Sequence, residues 1–167
     1  MKMSRDTLGL AAEYAVASEL CRRNIYAQLT LGHLKRTDLL ILGEQNKMLR
    51  IEVKGKQGRE WPNCTGIYGE NVFLVFVDFA GKDECERPDF YILTVQDWIH
   101  YVGGQIAETT AKRPEKHIEL DEHNVPIFVT EVNASGKPYR GMGVRPAQIK
   151  QHKEQWGKIV QAMGHIE

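Results

Sequence analysis

The stretch MLRIEVKGKQG, residues 48–58, decides how this sequence is interpreted. Ile51 and Val53 are apolar, as expected of a buried β-strand, whereas Glu52 and Lys54 carry opposite charges two positions apart. Side chains alternate between the two faces of a strand, so the acid and the base point the same way. The pattern allows two interpretations: an edge strand with charges on its solvent face, or one side of a functional site.

The preceding segment, TDLLIL at residues 37–42, predicts a second apolar strand, and the intervening GEQNK suits a hairpin loop. A hairpin brings facing residues within about 5 Å of each other, so Asp38 and Glu52 are expected to converge. Two carboxylates and the backbone carbonyl of Val53 would form the oxygen-rich site that Mg²⁺ prefers. Lys54 beside the ion would assist an attacking water and neutralise phosphate charge, which predicts metal-assisted hydrolysis of a phosphodiester.

Residues 6–23 predict the first helix, because apolar residues recur there at helical spacing and Ser4 or Asp6 can cap its start. Glu13 lies in this helix among several alanines, whose small side chains allow a sheet to approach closely. Two interpretations stay open for Glu13: it reaches the same metal or its water, or it faces solvent.

Three segments, GLAAEYAVASEL (9–20), RTDLLIL (36–42) and RIEVKGK (50–56), together resemble the PD-(D/E)xK, or restriction-endonuclease-like, nuclease superfamily. The N-terminal half is similar to archaeal Holliday-junction resolvases, and the segment that follows is similar to uncharacterised bacterial members. The resemblance implies Asp38 and Glu52 as metal ligands, Lys54 as the catalytic lysine and Glu13 as the helix acid. It implies a Mg²⁺- or Mn²⁺-dependent DNA endonuclease. Thr37 stands where many members have proline, and some members have lost catalysis, which leaves a silent DNA-binding or assembly subunit as the alternative.

Six residues near these motifs are candidates for contacts with nucleic acid: Lys35, Arg36, Lys56, Gln57, Arg59 and Trp61. The basic residues either hold phosphates or are ordinary solvated side chains. Trp61 either stacks on a base or caps the core, as tryptophan does more often. The resemblance implies that Gln57 helps to position the water.

The remaining chain predicts an α/β or α+β fold, with a restriction-endonuclease-like core in which helices flank a mixed β-sheet of about four to five strands. The pattern predicts a long loop at 55–70 and three further strands at 71–79, 89–94 and 125–132. It also predicts a helix at 95–102 that begins with a Thr94–Asp97 capping box, an irregular segment at 104–125 and a final helix at 145–163. We expect one nuclease-like domain over residues 1–167, with core motifs in 6–103 and an extension with a helix in 104–167.

The composition limits the setting in which this domain works. The 22 basic and 22 acidic residues balance, with a basic excess in residues 1–60 that suits a phosphate-facing surface. The three widely spaced cysteines argue for a reducing compartment, and no apolar leader or membrane-length segment is visible. We therefore expect a cytoplasmic protein with DNA as its partner and no membrane contact. Cutting both strands would favour a homodimer.

Overall fold

The computed structural model describes residues 2–30, 36–43 and 47–164. Among these residues the helices are Arg5–Cys21 (α1), Val95–Lys112 (α2) and Gly157–Met163 (α3), and 3-10 turns span Pro146–Gln148 and Lys150–His152. The strands are Ala27–Leu29 (β1), Leu39–Leu42 (β2), Met48–Lys56 (β3), Trp61–Cys64 (β4), Val72–Asp78 (β5), Asp89–Thr94 (β6), Ile118–Leu120 (β7), Pro126–Val132 (β8), Pro138–Arg140 (β9) and Met142–Val144 (β10).

Five strands form one mixed sheet in the order β1-β2-β3-β5-β6. The pairs β1–β2, β2–β3 and β5–β6 are antiparallel, whereas β3 and β5 are parallel. This arrangement confirms the predicted mixed sheet flanked by helices. The interpretation of residues 48–58 as an edge strand is wrong, because β3 is the middle strand and is hydrogen-bonded on both sides.

Helix α1 begins where Ser4 caps it, with the Ser4 hydroxyl accepting from the Thr7 N–H at 3.2 Å. The helix then packs almost backbone to backbone on β3. A Cβ added at Gly55 would lie 2.9 Å from the Ala12 Cβ and 3.0 Å from the Leu8 carbonyl oxygen. The small residues of α1 thus allow the close approach that the sequence predicted, and they hold the helix over the end of β3.

The two faces of the sheet carry separate apolar layers. Helices α1 and α3 pack on one face, against Ile51 and Val53 of β3. Helix α2 and the strands β4 and β10 pack on the other face. Because strand side chains alternate, Glu52, Lys54 and Lys56 belong to this second face.

Helix α2 opens with the predicted capping box, in which the Asp97 N–H donates to the Thr94 hydroxyl at 3.1 Å and the Thr94 N–H donates to the Asp97 carboxylate at 2.9 Å. The predicted end at residue 102 is wrong, because the helix continues through Gly103 and Gly104 to Lys112. Glycine in a helix costs only about 1 kcal/mol relative to alanine. The buried turn just before these glycines offsets that cost by packing against the sheet.

The predicted long loop at 55–70 contains a strand. Strand β4 pairs antiparallel with β10, with Cys64 opposite Met142 and Trp61 opposite Val144. The predicted irregular segment 104–125 holds the rest of α2 and strand β7, which forms a three-stranded sheet with β8 and β9. These pairings join residues far apart in sequence, which the local pattern did not reveal.

The predicted helix over 145–163 is wrong except for its last two turns. Glu154 has a left-handed backbone with φ 57°, which ends helical continuity there. Its N–H donates to the Phe90 carbonyl at 2.9 Å, and its carboxylate accepts from Arg87. Lys158, within this segment, pairs with Asp97 at 2.7 Å. Tertiary contacts therefore override the helical periodicity.

Candidate active site

The register of β2 and β3 brings the two predicted metal ligands together. Leu39 lies opposite Ile51, so Asp38, one residue before β2, lies opposite Glu52. The Val53 N–H donates to Asp38 Oδ2 at 2.6 Å and anchors that carboxylate to the β3 backbone. The N–H and C=O of a strand residue point to the same side, so the Val53 carbonyl also faces the Asp38 edge.

Glu52 is almost fully buried, with 3% of its surface exposed. Its Oε1 lies 2.8 Å from Lys54 Nζ. Its Oε2 is buried and has no hydrogen-bond partner among the described residues. A buried carboxylate oxygen without a partner is costly, and a cation or a hydrogen-bond donor would relieve that cost. The Lys54 side chain is 39% exposed, so its ammonium group reaches solvent although its partner Glu52 is buried.

The charges of Asp38 and Lys54 affect the pKa of Glu13 on α1. Burial raises the pKa of Glu13 above its ordinary value, the charge of Asp38 raises it further, and Lys54 lowers it. Burial likewise raises the pKa of Asp38, while the Val53 N–H and Lys54 oppose the shift and Glu52 adds to it. Carboxyl groups crowded in a partly buried space disfavour their shared negative charge, and a cation would relieve that cost.

The residues fit a hard divalent cation. Among the described residues, no group of three or more His, Cys, Asp or Glu side chains forms a metal site by itself. Mg²⁺ usually takes one or two carboxylates and completes its octahedron with water and substrate phosphates. Asp38, the unpartnered oxygen of Glu52 and the Val53 carbonyl supply that donor set. The nearby Cys64 does not add to it, because burial raises the pKa of its thiol to about 12.

A cavity of about 610 Å³ opens beside Lys54. The first two turns of α1 form one wall, and the end of β3 with β4 forms the other; the lining residues are Arg5, Leu8, Gly9, Val53, Lys54, Gly55, Lys56, Gln57, Gly58, Glu60, Trp61, Pro62 and Asn63. Most charges here are paired, because Lys54 meets Glu52 and Glu60 meets Arg145 at 3.0 Å. Exposed Arg5 has no carboxylate partner in the described part of the chain, so its charge favours an anionic occupant.

The prediction that Lys56 contacts phosphates or solvent is wrong. The residue is 4% exposed, and its ammonium group pairs with Asp78 at 2.5 Å. It also donates to the Gly58 carbonyl at 3.0 Å and lies 4.8 Å from the centroid of the Trp61 ring. Lys56 therefore fixes the turn that follows β3, and its ammonium group is already paired within the protein.

The prediction that Trp61 stacks on a base is also wrong, and the alternative that it caps the core is confirmed. Its side chain is 1% exposed, and its indole N–H donates to the Val77 carbonyl at 3.2 Å. Its ring packs against Phe76 and Tyr91, with centroids at 4.8 and 5.7 Å.

The remaining predicted contacts differ in their availability. Gln57 accepts from the Met3 N–H at 3.0 Å and donates to the Met3 carbonyl at 2.7 Å, so its amide is already occupied and is not free to position a water. Arg59 and Arg36 are exposed, and their contacts with nucleic acid stay predictions. Lys35 lies outside the described residues.

Sequence reasoning missed Arg5, Glu60 and Asn63 as lining residues of the cavity. Each lies outside the three motifs, and two of them belong to the segment interpreted as a loop. The positions of Glu60 and Asn63 depend on the pairing of β4 with β10, and that of Arg5 depends on the packing of α1 on β3. The sequence carries no local signal that would place these residues beside Lys54.

Comparison with known proteins supports the fold. No family model matches this chain, and no curated protein matches it. A solved structure that does match is that of a bacterial homing endonuclease, I-Ssp6803I, with 15% identity and a TM-score of 0.51 over 98% of this chain and 96% of that chain. At this identity the likeness concerns the fold alone. The chain has a mixed sheet flanked by helices, similar to a nuclease fold, and the similarity extends over nearly the whole chain.

Proposed function

We propose that the chain is a Mg²⁺- or Mn²⁺-dependent DNA endonuclease of the PD-(D/E)xK kind. The observation that carries the proposal is the convergence of Asp38 and Glu52 on adjacent strands, with Lys54 bonded to one oxygen of Glu52 and the other oxygen buried without a described partner. The likeness to a bacterial homing endonuclease supports a DNA nuclease in the coarser sense.

In this proposal Asp38, Glu52 and the Val53 carbonyl hold the divalent ion. When bound, the ion would supply the positive charge that polarises a phosphodiester and acidifies a water. Lys54 donates to the phosphate oxygens from the exposed side of the cleft, and Glu52 holds its ammonium group in place. The Val53 N–H fixes the orientation of Asp38, and Glu13 approaches from α1 to orient the water. Such fixed donors work best because they need no rearrangement during the reaction.

The setting follows from the same proposal. DNA is the partner, and a strand of it enters the cavity beside Lys54 on the side of Arg5. A homodimer would present two such clefts for cutting both strands. The three cysteines are free, which supports a cytoplasmic protein. None of the helices in the described part of the chain combines the length and the hydropathy that a membrane span requires.

The alternative is a subunit with this fold that binds DNA without cutting it. One observation favours it: Lys54 already occupies one oxygen of Glu52, so a metal ion would have to share that carboxylate with the ammonium group. The surface ion pair of a purely structural protein is not favoured, because Glu52 is buried in the middle strand.

The test measures cleavage and metal binding together. Supercoiled, branched and single-stranded DNA are incubated with the protein in Mg²⁺, Mn²⁺ or EDTA, beside Lys54→Ala, Asp38→Asn and Glu52→Gln. Calorimetry with Mn²⁺ reports binding without turnover. We expect cleavage to be lost in all three variants and Mn²⁺ affinity to fall only in the last two. Salt-sensitive DNA binding without cleavage in any metal would instead support the silent subunit.

A further inference from the structure

A stack of three side chains lies near the candidate site and has no role in the proposed chemistry. The rings of Tyr68 and His123 are parallel, with an interplanar angle of 3° and centroids 3.7 Å apart. The guanidinium carbon of Arg36 lies over the Tyr68 ring, 5.0 Å from its centroid. These residues come from three separate segments: the approach to β2, the β4–β5 connection and the turn between β7 and β8.

The backbone around the stack is held in place. His123 sits in a turn where Asp121 Oδ1 accepts from the N–H groups of His123 and Val125, at 2.8 and 2.9 Å, and Arg140 pairs with the same Asp121. The backbone of His123 is therefore held in place within the β7–β8 hairpin.

Hydrogen bonds of the next two residues, just before β2, hold the backbone of Arg36 in place. Its φ of 59° is left-handed, and the next residue, Thr37, is 3% exposed. The Thr37 carbonyl accepts from the Thr30 hydroxyl at 2.5 Å, and the Asp38 N–H donates to the Ile51 carbonyl at 2.9 Å. The Arg36 backbone is thus anchored two residues from a predicted metal ligand.

The stack orients the Arg36 charge without neutralising it. Among the described residues Arg36 makes no ion pair with a carboxylate, and the side chain is exposed. An arginine stacked on an aromatic ring keeps the donors at its planar edge free, and that edge matches two oxygens of a phosphate. The Tyr68 ring already contacts Arg36 and His123, so it is engaged within the protein and less open to a base.

We infer that Tyr68, supported by His123, positions Arg36 to hold a backbone phosphate of DNA beside Asp38. The inference rests on the proposed function and deepens it, because it names a positioning set for the substrate strand. It also gives the β7–β8 hairpin a part in substrate binding, since His123 is its contribution to the stack.

The test measures binding of a labelled DNA duplex by fluorescence anisotropy in EDTA, so that cleavage does not interfere, across a range of salt concentrations. Tyr68→Leu removes the stacking surface, and Tyr68→Phe is the matched control that keeps it. Arg36→Lys keeps the charge of an exposed residue but loses the planar group, which guards against a folding defect in the tyrosine variant.

We expect Tyr68→Leu and Arg36→Lys each to weaken binding by about fivefold to tenfold, and Tyr68→Phe to bind as the native protein does. The double variant Tyr68→Leu/Arg36→Lys should lose no more than either single variant, because both remove one phosphate contact. If Tyr68→Leu and Arg36→Lys bind the duplex as tightly as the native protein does, the inference is overturned and the proposed function is not. The same holds if the losses of affinity in the two single variants add up in the double variant. No salt-sensitive binding by the native protein would overturn the proposed function with it.

Discussion

Replacing Gly55 with alanine tests whether the close approach of α1 to β3 sets the geometry of the site. The new Cβ would lie 2.9 Å from the Ala12 Cβ and 3.0 Å from the Leu8 carbonyl oxygen. Carbon atoms in contact prefer about 3.5–4.0 Å, so the helix must retreat by about 0.6–1 Å at this point. Overpacking of this kind costs about 1–3 kcal/mol in the free energy of unfolding.

The retreat also moves Glu13, which follows Ala12 directly. Under the proposed function Glu13 orients the water. A shift of about 1 Å in such a group reduces rates by about a hundredfold, so the cleavage rate should fall more than the loss of stability explains. Urea denaturation followed by circular dichroism gives the free energy of unfolding, and single-turnover cleavage gives the rate.

Gly58→Ala is the matched control, because a Cβ there meets nothing within 4 Å. It should leave stability within about 0.5 kcal/mol of the native protein. Adding Ala12→Gly to Gly55→Ala removes the closer of the two contacts, so a double-mutant cycle should show a favourable coupling. Equal stability of Gly55→Ala and Gly58→Ala would refute the close-approach argument.

Three further predictions concern charges outside the proposed metal-binding residues. A hydrogen bond from Arg87 and further contacts hold the pKa of buried Glu19 at about 2, below its ordinary 4.5. Its contribution of about 2–3 kcal/mol is present above pH 4.5 and is lost as pH falls toward 2, so Glu19→Gln should lose stability at pH 7 but little near pH 2. Lys56→Met should cost about 3–5 kcal/mol in urea denaturation, because it leaves Asp78 buried without a partner. Arg5→Ala should weaken DNA binding and reduce the salt slope by about one, with thermal stability unchanged.

Each of these predictions has an outcome that contradicts it. A Glu19→Gln variant whose stability runs parallel to that of the native protein from pH 7 to pH 2 would exclude the low pKa. For the buried pair, Lys56→Met/Asp78→Leu should recover much of the loss, and a double variant less stable than the single one would count against the pairing. An unchanged salt slope in Arg5→Ala would remove this residue from the DNA contact.

The sequence was sufficient where partners are neighbours along the chain. The hairpin of β2 and β3 follows from two apolar runs and a polar loop, and its register brings Asp38 opposite Glu52 as expected. The capping box of Thr94 and Asp97 is equally local. The strand Val72–Asp78 was evident because it is buried on both faces and apolar except at its last residue, Asp78.

The failures have one physical origin, which is contact between distant segments. Lys56 looked like a surface charge because Asp78, its buried partner, lies on a neighbouring strand. Trp61 looked like a loop residue because β10, which makes its segment a strand, is near the other end of the chain. Glu154 interrupts a helical period because Phe90 and Arg87 bind it more favourably than the helix would.

The pairing of β4 with β10 has a consequence for the order in which the protein is completed. Strand β4 forms one wall of the cavity beside Lys54, yet its partner comes at residues 142–144. A strand without its partner leaves its backbone N–H and C=O groups unpaired, so this wall gains support only after synthesis has passed residue 144. The β2–β3 hairpin with its two carboxylates can form much earlier, because local contacts close first. A growing chain on the ribosome would thus carry both carboxylates well before β4 gains its pairing partner, so the β4 wall of the cavity is supported later than the β2–β3 hairpin.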